Sequence, residues 1–176
     1  MTDAELAGLL REHALLEGDF VLRSGRRSSY YLDKYRFETR PDLLRELGER
    51  IAARVAESAP EARRLAGPEL GAVALAASAS LAGTLPFLIV RKEAKGYGTE
   101  RRIEGEFDVG EEVCLVEDVV TSGGAAEQAV GALREAGLVC RTAICVVDRE
   151  EGGADALARQ AVRLVPIFQA SDILPG

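Results

Sequence analysis

Two adjacent carboxylates, Glu117 and Asp118, stand between an apolar run and a glycine-rich turn near the middle of the chain. The apolar run, residues 113–116, is typical of a parallel strand covered on both faces. Because unpaired carboxylates are costly inside such a strand, we expect Glu117 and Asp118 to emerge at its carboxyl end. At that edge of a sheet, carboxylates are suited to binding the hydroxyl groups of a ribose.

The turn that follows has the composition of a phosphate site. Thr121 and Ser122 supply hydroxyl groups, and Gly123 and Gly124 leave backbone N–H groups unobstructed. A helix is predicted over 125–136, so its free N–H groups and the positive end of its dipole face the same point. The alternative is a capping turn without a ligand, which the preceding pair of carboxylates makes less favourable. Neither a Gly-x-x-x-x-Gly-Lys-Ser/Thr motif nor a Gly-x-Gly-x-x-Gly motif accounts for the turn.

The composition limits the class of protein. With 176 residues, of which 47% are hydrophobic, residues 1–176 suit a single domain that buries roughly 70% of its unfolded surface. The net charge of −7 argues against nucleic acid or an anionic membrane as a partner. There is no apolar run of about 20 residues and no signal-peptide pattern, so the sequence predicts a cytosolic protein.

Cysteine and histidine chemistry is not indicated. Cys114, Cys140 and Cys145 lie in apolar surroundings without a Cys-x-x-Cys spacing, so they are interpreted as small core residues rather than as a disulfide or zinc site. The lone histidine, His13, lies in a helical pattern and has no evident nucleophile to activate.

Apolar periodicity predicts strands that alternate with helices, which is the pattern of a parallel α/β sheet flanked by helices with right-handed crossovers. The predicted helices cover 3–16, 41–57, 72–82, 125–136 and 154–160, and the predicted strands cover 64–66, 86–90, 113–116, 139–147 and 161–168. Two further short strands, 20–22 and 30–32, predict an N-terminal hairpin. In such a sheet, ligands bind outside the carboxyl ends of the strands.

Other segments are predicted at the same edge. The loop 91–105 carries five basic residues and three glycines, which suits a mobile lid over a polyphosphate, although a solvated loop is the simpler interpretation. The turn 67–71 has two glycines that would let backbone N–H groups approach an anion. Arg149 follows a predicted strand. Its planar guanidinium suits the binding of a carboxylate, and the alternative is an exposed surface arginine. The hairpin turn within 22–31 holds three arginines and either covers a planar anion or is an exposed basic turn.

Over nearly its whole length the chain resembles the orotate phosphoribosyltransferases. Residues 113–126 resemble the family's diphosphate-sugar motif, which all type I phosphoribosyltransferases share. Residues 91–98 resemble the catalytic lid, and 22–28 with the pair at 30–31 resemble an N-terminal hood over orotate, covering approximately 18–36. Asp148-Arg149 matches the arginine that holds the orotate carboxylate. The lid and the hood are more particular to this family than the first motif.

The resemblance implies a type I phosphoribosyltransferase fold and the Mg²⁺-dependent transfer of ribose 5-phosphate from phosphoribosyl diphosphate to orotate, giving orotidine 5′-monophosphate and diphosphate in UMP synthesis. The catalytic residues it implies are Lys95, Arg91 and Asp118. It assigns phosphoribosyl diphosphate to Arg91, Lys92, Lys95, Tyr97, Glu117, Asp118, Val119, Val120, Thr121, Ser122, Gly123, Gly124 and Ala125. It assigns orotate to Thr121, Arg149, Arg23, Tyr30 and Tyr31. No protein group is assigned directly to Mg²⁺, which is expected to be held mainly through the substrate diphosphate and water. A homodimer whose lid serves the neighbouring site is also implied.

Three positions depart from the family pattern. Many members have a lysine in the turn that corresponds to 67–71, where this chain has Glu69 and Leu70. Tyr97 stands where some members have histidine, and Arg23 stands where lysine is common. Diphosphate binding at the turn is therefore left to the backbone, and a titrating lid histidine is not expected.

Two other functions share parts of these patterns. A purine or xanthine phosphoribosyltransferase would have the same sugar-phosphate site, but purines have no carboxylate that needs Arg149. A nucleotide-sensing regulator on the same fold would be expected to have lost the lid cations, whereas Arg91, Lys92 and Lys95 are present.

Overall fold

The computed structural model of the protein describes residues 1–21, 25, 27–93 and 102–174. The strands are β1 (Leu15–Val21), β2 (Arg27–Leu32), β3 (Arg64–Pro68), β4 (Phe87–Val90), β5 (Ile103–Glu104), β6 (Glu112–Val120), β7 (Val139–Asp148) and β8 (Arg163–Gln169). The helices are α1 (Asp3–Ala14), α2 (Tyr35–Glu38), α3 (Pro41–Ser58), α4 (Gly71–Gly83), α5 (Gly124–Glu135), α6 (Gly153–Arg159) and α7 (Ala170–Ile173).

A six-stranded sheet in the order β5-β4-β3-β6-β7-β8 forms the centre of the described chain. All neighbouring strands in it are parallel except β4 and β5, which are antiparallel. The mostly parallel sheet that the alternation predicts is therefore confirmed. The register pairs Pro68 with Val90 and Val120 with Asp148, so several strands end along one edge.

Both faces of the sheet are covered, which explains why its central strands are so apolar. Alternate residues of β6 enter different cores: Cys114 and Val116 belong to one buried cluster, and Val113 and Leu115 to the other. The first cluster includes the inner faces of α1, α3 and α4, and the second includes those of α5 and α6. Two hydrophobic layers therefore fix β6, which carries the acidic pair.

The N-terminal segment forms the expected hairpin. β1 and β2 pair antiparallel, with a register shift between Glu17 and Phe20. The preceding helix α1 begins with a capping box, in which Thr2 and Glu5 satisfy each other's backbone N–H groups. This helix ends at Ala14 rather than at residue 16, because Leu15 and the next residue already pair with β2.

Several element boundaries differ from the prediction. β6 continues to Val120, so Glu117 and Asp118 lie inside the strand and are buried, and the expectation that they emerge at its carboxyl end is wrong. The physical reason on the side of Asp118 is an ion pair that compensates its charge. The segment predicted as the loop 91–105 contains the short strand β5. The one-turn helices α2 and α7 were not predicted.

The three cysteines are buried and unbridged, as the apolar surroundings indicate. Within the described ranges, no helix is long and apolar enough to cross a bilayer.

Candidate active site

The acidic pair on β6 is buried at the edge where the parallel strands end. Glu117 is 6% exposed and Asp118 is 4% exposed. Burial, followed by the nearby charge of Asp118, raises the pKa of Glu117 to about 8. Its Oε1 atom is buried and has no hydrogen-bond partner among the described residues. A buried acceptor of this kind suits a ligand that brings its own hydroxyl donor.

Two residues that sequence reasoning missed, Lys34 and Glu38, complete the acidic site. Lys34 Nζ lies 2.5 Å from Asp118 Oδ2, although the residues are 84 positions apart. Glu38 on α2 is also buried, and burial, followed by the charge of Asp118, raises its pKa to about 8. The signal in the sequence is weak: a lysine two residues after the end of the hairpin strand β2.

The turn after β3 lies against this site. A Cβ atom on Gly71, the first residue of α4, would overlap Asp118 Oδ2 and would lie 2.8 Å from Glu38 Oε1. Only glycine allows so close an approach without displacing these carboxylates. The turn 67–71 and the acidic pair are therefore parts of one site, as the strand order predicts.

The turn after β6 lies at the same edge, between the end of that strand and the start of α5. Gly123 has a φ of +88° and directly precedes α5, so the chain reverses sharply where the helix begins. Thr121 and Ser122 are exposed. The Val120 carbonyl accepts a hydrogen bond from Arg149 N at 2.8 Å, which joins this turn to the end of β7. The predicted phosphate turn, 121–125, is thus present at a helix N-terminus.

Arg149 links the end of β7 to the hairpin. Its Nη2 atom donates to the Tyr30 hydroxyl at 3.0 Å and pairs with Glu151 Oε1 at 2.9 Å. The guanidinium lies 4.7 Å from the centre of the Tyr30 ring. Arg149 is only 8% exposed, and its Nε atom is buried without a hydrogen-bond partner in the described part of the chain. A buried guanidinium with a free donor is suited to a planar carboxylate.

Tyr31 is not brought to Arg149. Side chains alternate along a strand, and Tyr31 instead lies beside Phe20, with 5.7 Å between the ring centres. It is 42% exposed. The structure therefore brings Tyr30 to the predicted base site and does not bring Tyr31 there. Glu151 was not singled out from the sequence, since only the fold shows which partner Arg149 has.

The two ends of the predicted lid are anchored to the sheet edge. Arg91 N donates to the Arg102 carbonyl at 2.8 Å, and Lys92 N donates to Glu69 Oε1 at 2.7 Å. Glu69 lies in the turn 67–71, so that turn and the start of the lid are in direct contact. Arg91 Nε is a further buried donor without a partner among the residues described. The other predicted residues here, Lys95 and Tyr97 of the lid and Arg23 of the hairpin turn, lie outside the described residues.

Comparison with known proteins gives a consistent result. No protein-family model matches the chain. The chain is 47% identical over 173 residues to the orotate phosphoribosyltransferase of Methanocella arvoryzae, covering 98% of this chain and 97% of that protein. It resembles the crystal structure of the Aeropyrum pernix orotate phosphoribosyltransferase with a TM-score of 0.85, 35% identity and 96% of each chain covered. The Mycobacterium tuberculosis orotate phosphoribosyltransferase, in complex with 5-phospho-α-D-ribosyl 1-diphosphate, is similar with a TM-score of 0.80, 29% identity and coverage of 97% of this chain and 98% of that chain.

Proposed function

The chain belongs to the orotate phosphoribosyltransferase family, and we propose that its residues divide the family's reaction between two halves of one site. The enzymes of this family are pentosyltransferases of pyrimidine biosynthesis. They transfer ribose 5-phosphate from phosphoribosyl diphosphate to orotate, which gives orotidine 5′-monophosphate and diphosphate. The proposal concerns the role of each side chain of this protein in that reaction.

The sugar-phosphate half is formed by the end of β6 and the turn after it. Glu117 and Asp118 bind the ribose hydroxyls, and Thr121, Ser122, Gly123, Gly124 and Ala125 bind the 5-phosphate, with Val119 and Val120 holding the strand that leads to it. The Oε1 atom of Glu117, which has no partner among the residues that the structure describes, supports the first assignment, because a ribose hydroxyl would satisfy it. The position of the turn at the start of α5 supports the second.

The base half is formed by Arg149 with the hairpin. Arg149 binds the orotate carboxylate, Tyr30 lies against the base, and Thr121 reaches it from the phosphate turn. The contact between Arg149 and Tyr30 is the observation that carries this assignment, because it joins the hairpin to the strand-end arginine. Arg23 and Tyr31 are retained from the resemblance alone, as further residues of the orotate hood.

Catalysis depends on stabilising charge. As the bond to diphosphate breaks, the sugar becomes oxocarbenium-like and the leaving group gains negative charge. We assign Lys95 and Arg91 to the leaving diphosphate, with Lys92 and Tyr97 beside it, and Asp118 to the positive charge that develops on the sugar. The support is that Arg91 and Lys92 begin a segment in contact with the turn 67–71.

We propose that Mg²⁺ is held mainly through the substrate diphosphate and water, as the resemblance implies. In the described ranges, no group of three or more histidine, cysteine, aspartate or glutamate side chains is arranged to hold a metal ion by itself. The buried Oε1 of Glu117, which lacks a partner in the described ranges, suits the sugar hydroxyls. When bound to the diphosphate, Mg²⁺ supplies charge neutralisation of the leaving group. Glu117 and Asp118 then orient the ribose on which that diphosphate is carried.

The assembly and location are part of the proposal. We propose a homodimer in which each lid serves the neighbouring site, on the strength of the resemblance. We also propose a cytosolic enzyme, which is supported by three free, buried thiols.

An assay of orotate consumption, followed by its ultraviolet absorbance, tests the proposal. Purified protein should consume orotate only when phosphoribosyl diphosphate and Mg²⁺ are both present. A chelator should stop the reaction, because the charge of the leaving diphosphate is then no longer neutralised. Excess Mg²⁺ should restore the rate. Undiminished turnover in the presence of the chelator would contradict the assigned role of the metal, and no orotate loss under any condition would contradict the function.

A further inference from the structure

Lys34 makes a contact that the assigned roles do not use. It lies between β2 and α2, at the base of the hairpin, and its ammonium reaches Asp118 on the central strand. The Lys34 side chain is 32% exposed, whereas the Asp118 side chain is 6% exposed. Lys34 therefore lies between solvent and the buried acidic pair.

The charges around Lys34 make this contact more than an ordinary surface pair. Asp118 has no other ion pair within the described part of the chain. Its charge also acts on two other buried carboxyl groups, those of Glu38 and Glu117, and contributes to the raised pKa of each. Burial alone would lower the pKa of Lys34, but the charge and hydrogen bond of Asp118, assisted by Glu38, outweigh burial and raise it. Removing one partner of a largely buried pair leaves an uncompensated charge, which is far more costly than losing an exposed pair.

The same oxygen of Asp118 that contacts Lys34 also faces the turn 67–71. Lys34 Nζ lies 2.5 Å from Asp118 Oδ2, and a Cβ atom on Gly71 would overlap that oxygen. The ammonium of Lys34 is therefore close to a turn that has no basic residue of its own. In that turn, Glu69 is engaged with the backbone of Lys92.

We propose that Lys34 is a positioning residue for phosphoribosyl diphosphate: it holds the Asp118 carboxylate in place for the ribose hydroxyls and brings positive charge beside the turn 67–71. The inference rests on the proposed function, since it takes the ribose site at Glu117 and Asp118 as given. It adds a cation from the hairpin segment to a site otherwise built from the sheet edge.

Steady-state kinetics of three variants test this role. Lys34→Met removes the charge and keeps most of the side-chain length, and Lys34→Arg keeps the charge. Arg36→Met is the matched control, because Arg36 lies two residues away and pairs with Asp33 in an exposed position. Lys34→Met should raise the KM for phosphoribosyl diphosphate by about 10-fold or more and change the KM for orotate by less than about threefold. Lys34→Arg should recover most of the loss, and Arg36→Met should behave like the wild type.

The outcomes separate this inference from the proposed function. Calorimetric titration of phosphoribosyl diphosphate into the Lys34→Met variant, with thermal unfolding to check its fold, should show the same loss of affinity. An unchanged affinity for phosphoribosyl diphosphate in a folded Lys34→Met variant, or an equal loss of affinity for both substrates, overturns the inference. The proposed function still stands in that case if the wild-type protein consumes orotate. If Lys34→Met does not fold, an unchanged KM for phosphoribosyl diphosphate in Lys34→Gln overturns it. A wild-type protein that does not consume orotate overturns the proposed function itself.

Discussion

At the scale of single residues, the site is built from charges that are buried at a cost. Glu117 is buried inside the largely apolar strand β6, and the charge of Asp118 is compensated by Lys34 from the hairpin segment. Arg149 is similarly buried, between Tyr30 and Glu151. Groups of this kind are expected where a protein trades stability for ligand binding.

The pH dependence of stability provides a test of Glu117. Its pKa is raised by burial from an ordinary 4.5 to about 8, so the folded chain keeps a proton in this range that the unfolded chain has lost. The stability contributed by the neutral carboxyl is therefore complete below the unfolded pKa and is lost as the pH rises through the folded one. The expected slope is up to about 1.4 kcal/mol per pH unit between these two values.

Urea unfolding of the ligand-free protein from about pH 5 to 8 measures this slope. Glu117→Gln should reduce the fall in unfolding free energy with pH, whereas Glu61→Gln, at an exposed position, should keep the wild-type slope. Identical slopes for all three proteins would mean that Glu117 is not protonated in the folded chain.

The place of a residue in the site can be predicted from the sequence where it follows from the position of that residue along a strand. Arg149 and the turn 121–125 could be placed because parallel strands end at one edge. Lys34 could not, because its contact with Asp118 spans 84 residues and depends on the path of the chain through β2 and α2. The sequence pattern also does not show that Tyr30 contacts Arg149 while Tyr31 packs beside Phe20, since the register of the hairpin decides which of two adjacent side chains faces Arg149.

At the scale of elements, the order of strands and helices follows from the sequence pattern, and the shortest elements do not. The apolar runs of β6 and β7 and the periodicity of α3 and α5 are strong signals. The two-residue β5 is too short to have a period of its own and exists because it pairs with β4. The continuation of β6 through two carboxylates is set by pairing with β7 up to Asp148, which overrides the polarity of the side chains.

The prediction at this scale concerns Lys95, which belongs to the segment between β4 and β5 in the sequence. Lys95 is assigned to the leaving diphosphate, so its charge should matter most in the transition state. Lys95→Ala should lower kcat by about 100-fold or more, while the dissociation constant of orotate changes by less than about threefold. Single-turnover rates and equilibrium titration with orotate measure the two effects. Equal losses in both would show that Lys95 acts in ground-state binding.

At the scale of the whole molecule, one sheet edge collects parts from distant stretches of the chain. The hairpin supplies Tyr30, the turn after β3 supplies Gly71, β6 supplies the acidic pair and β7 leads to Arg149. The two hydrophobic clusters hold these parts in register from opposite faces of the sheet. A sugar-phosphate half of this kind is expected in other type I phosphoribosyltransferases as well. The proposal therefore assigns the choice of base to Arg149 and the hairpin.

The choice of base is the central claim, and a comparison of kcat/KM across bases tests it most directly. With Mg²⁺ and phosphoribosyl diphosphate, the protein should consume orotate, while uracil, which lacks the carboxylate, should be at least about 100-fold poorer because it offers the buried Nε of Arg149 no carboxylate acceptor. Adenine, hypoxanthine and xanthine should show no turnover. Comparable values for orotate and uracil, or turnover of a purine in place of orotate, would contradict the account.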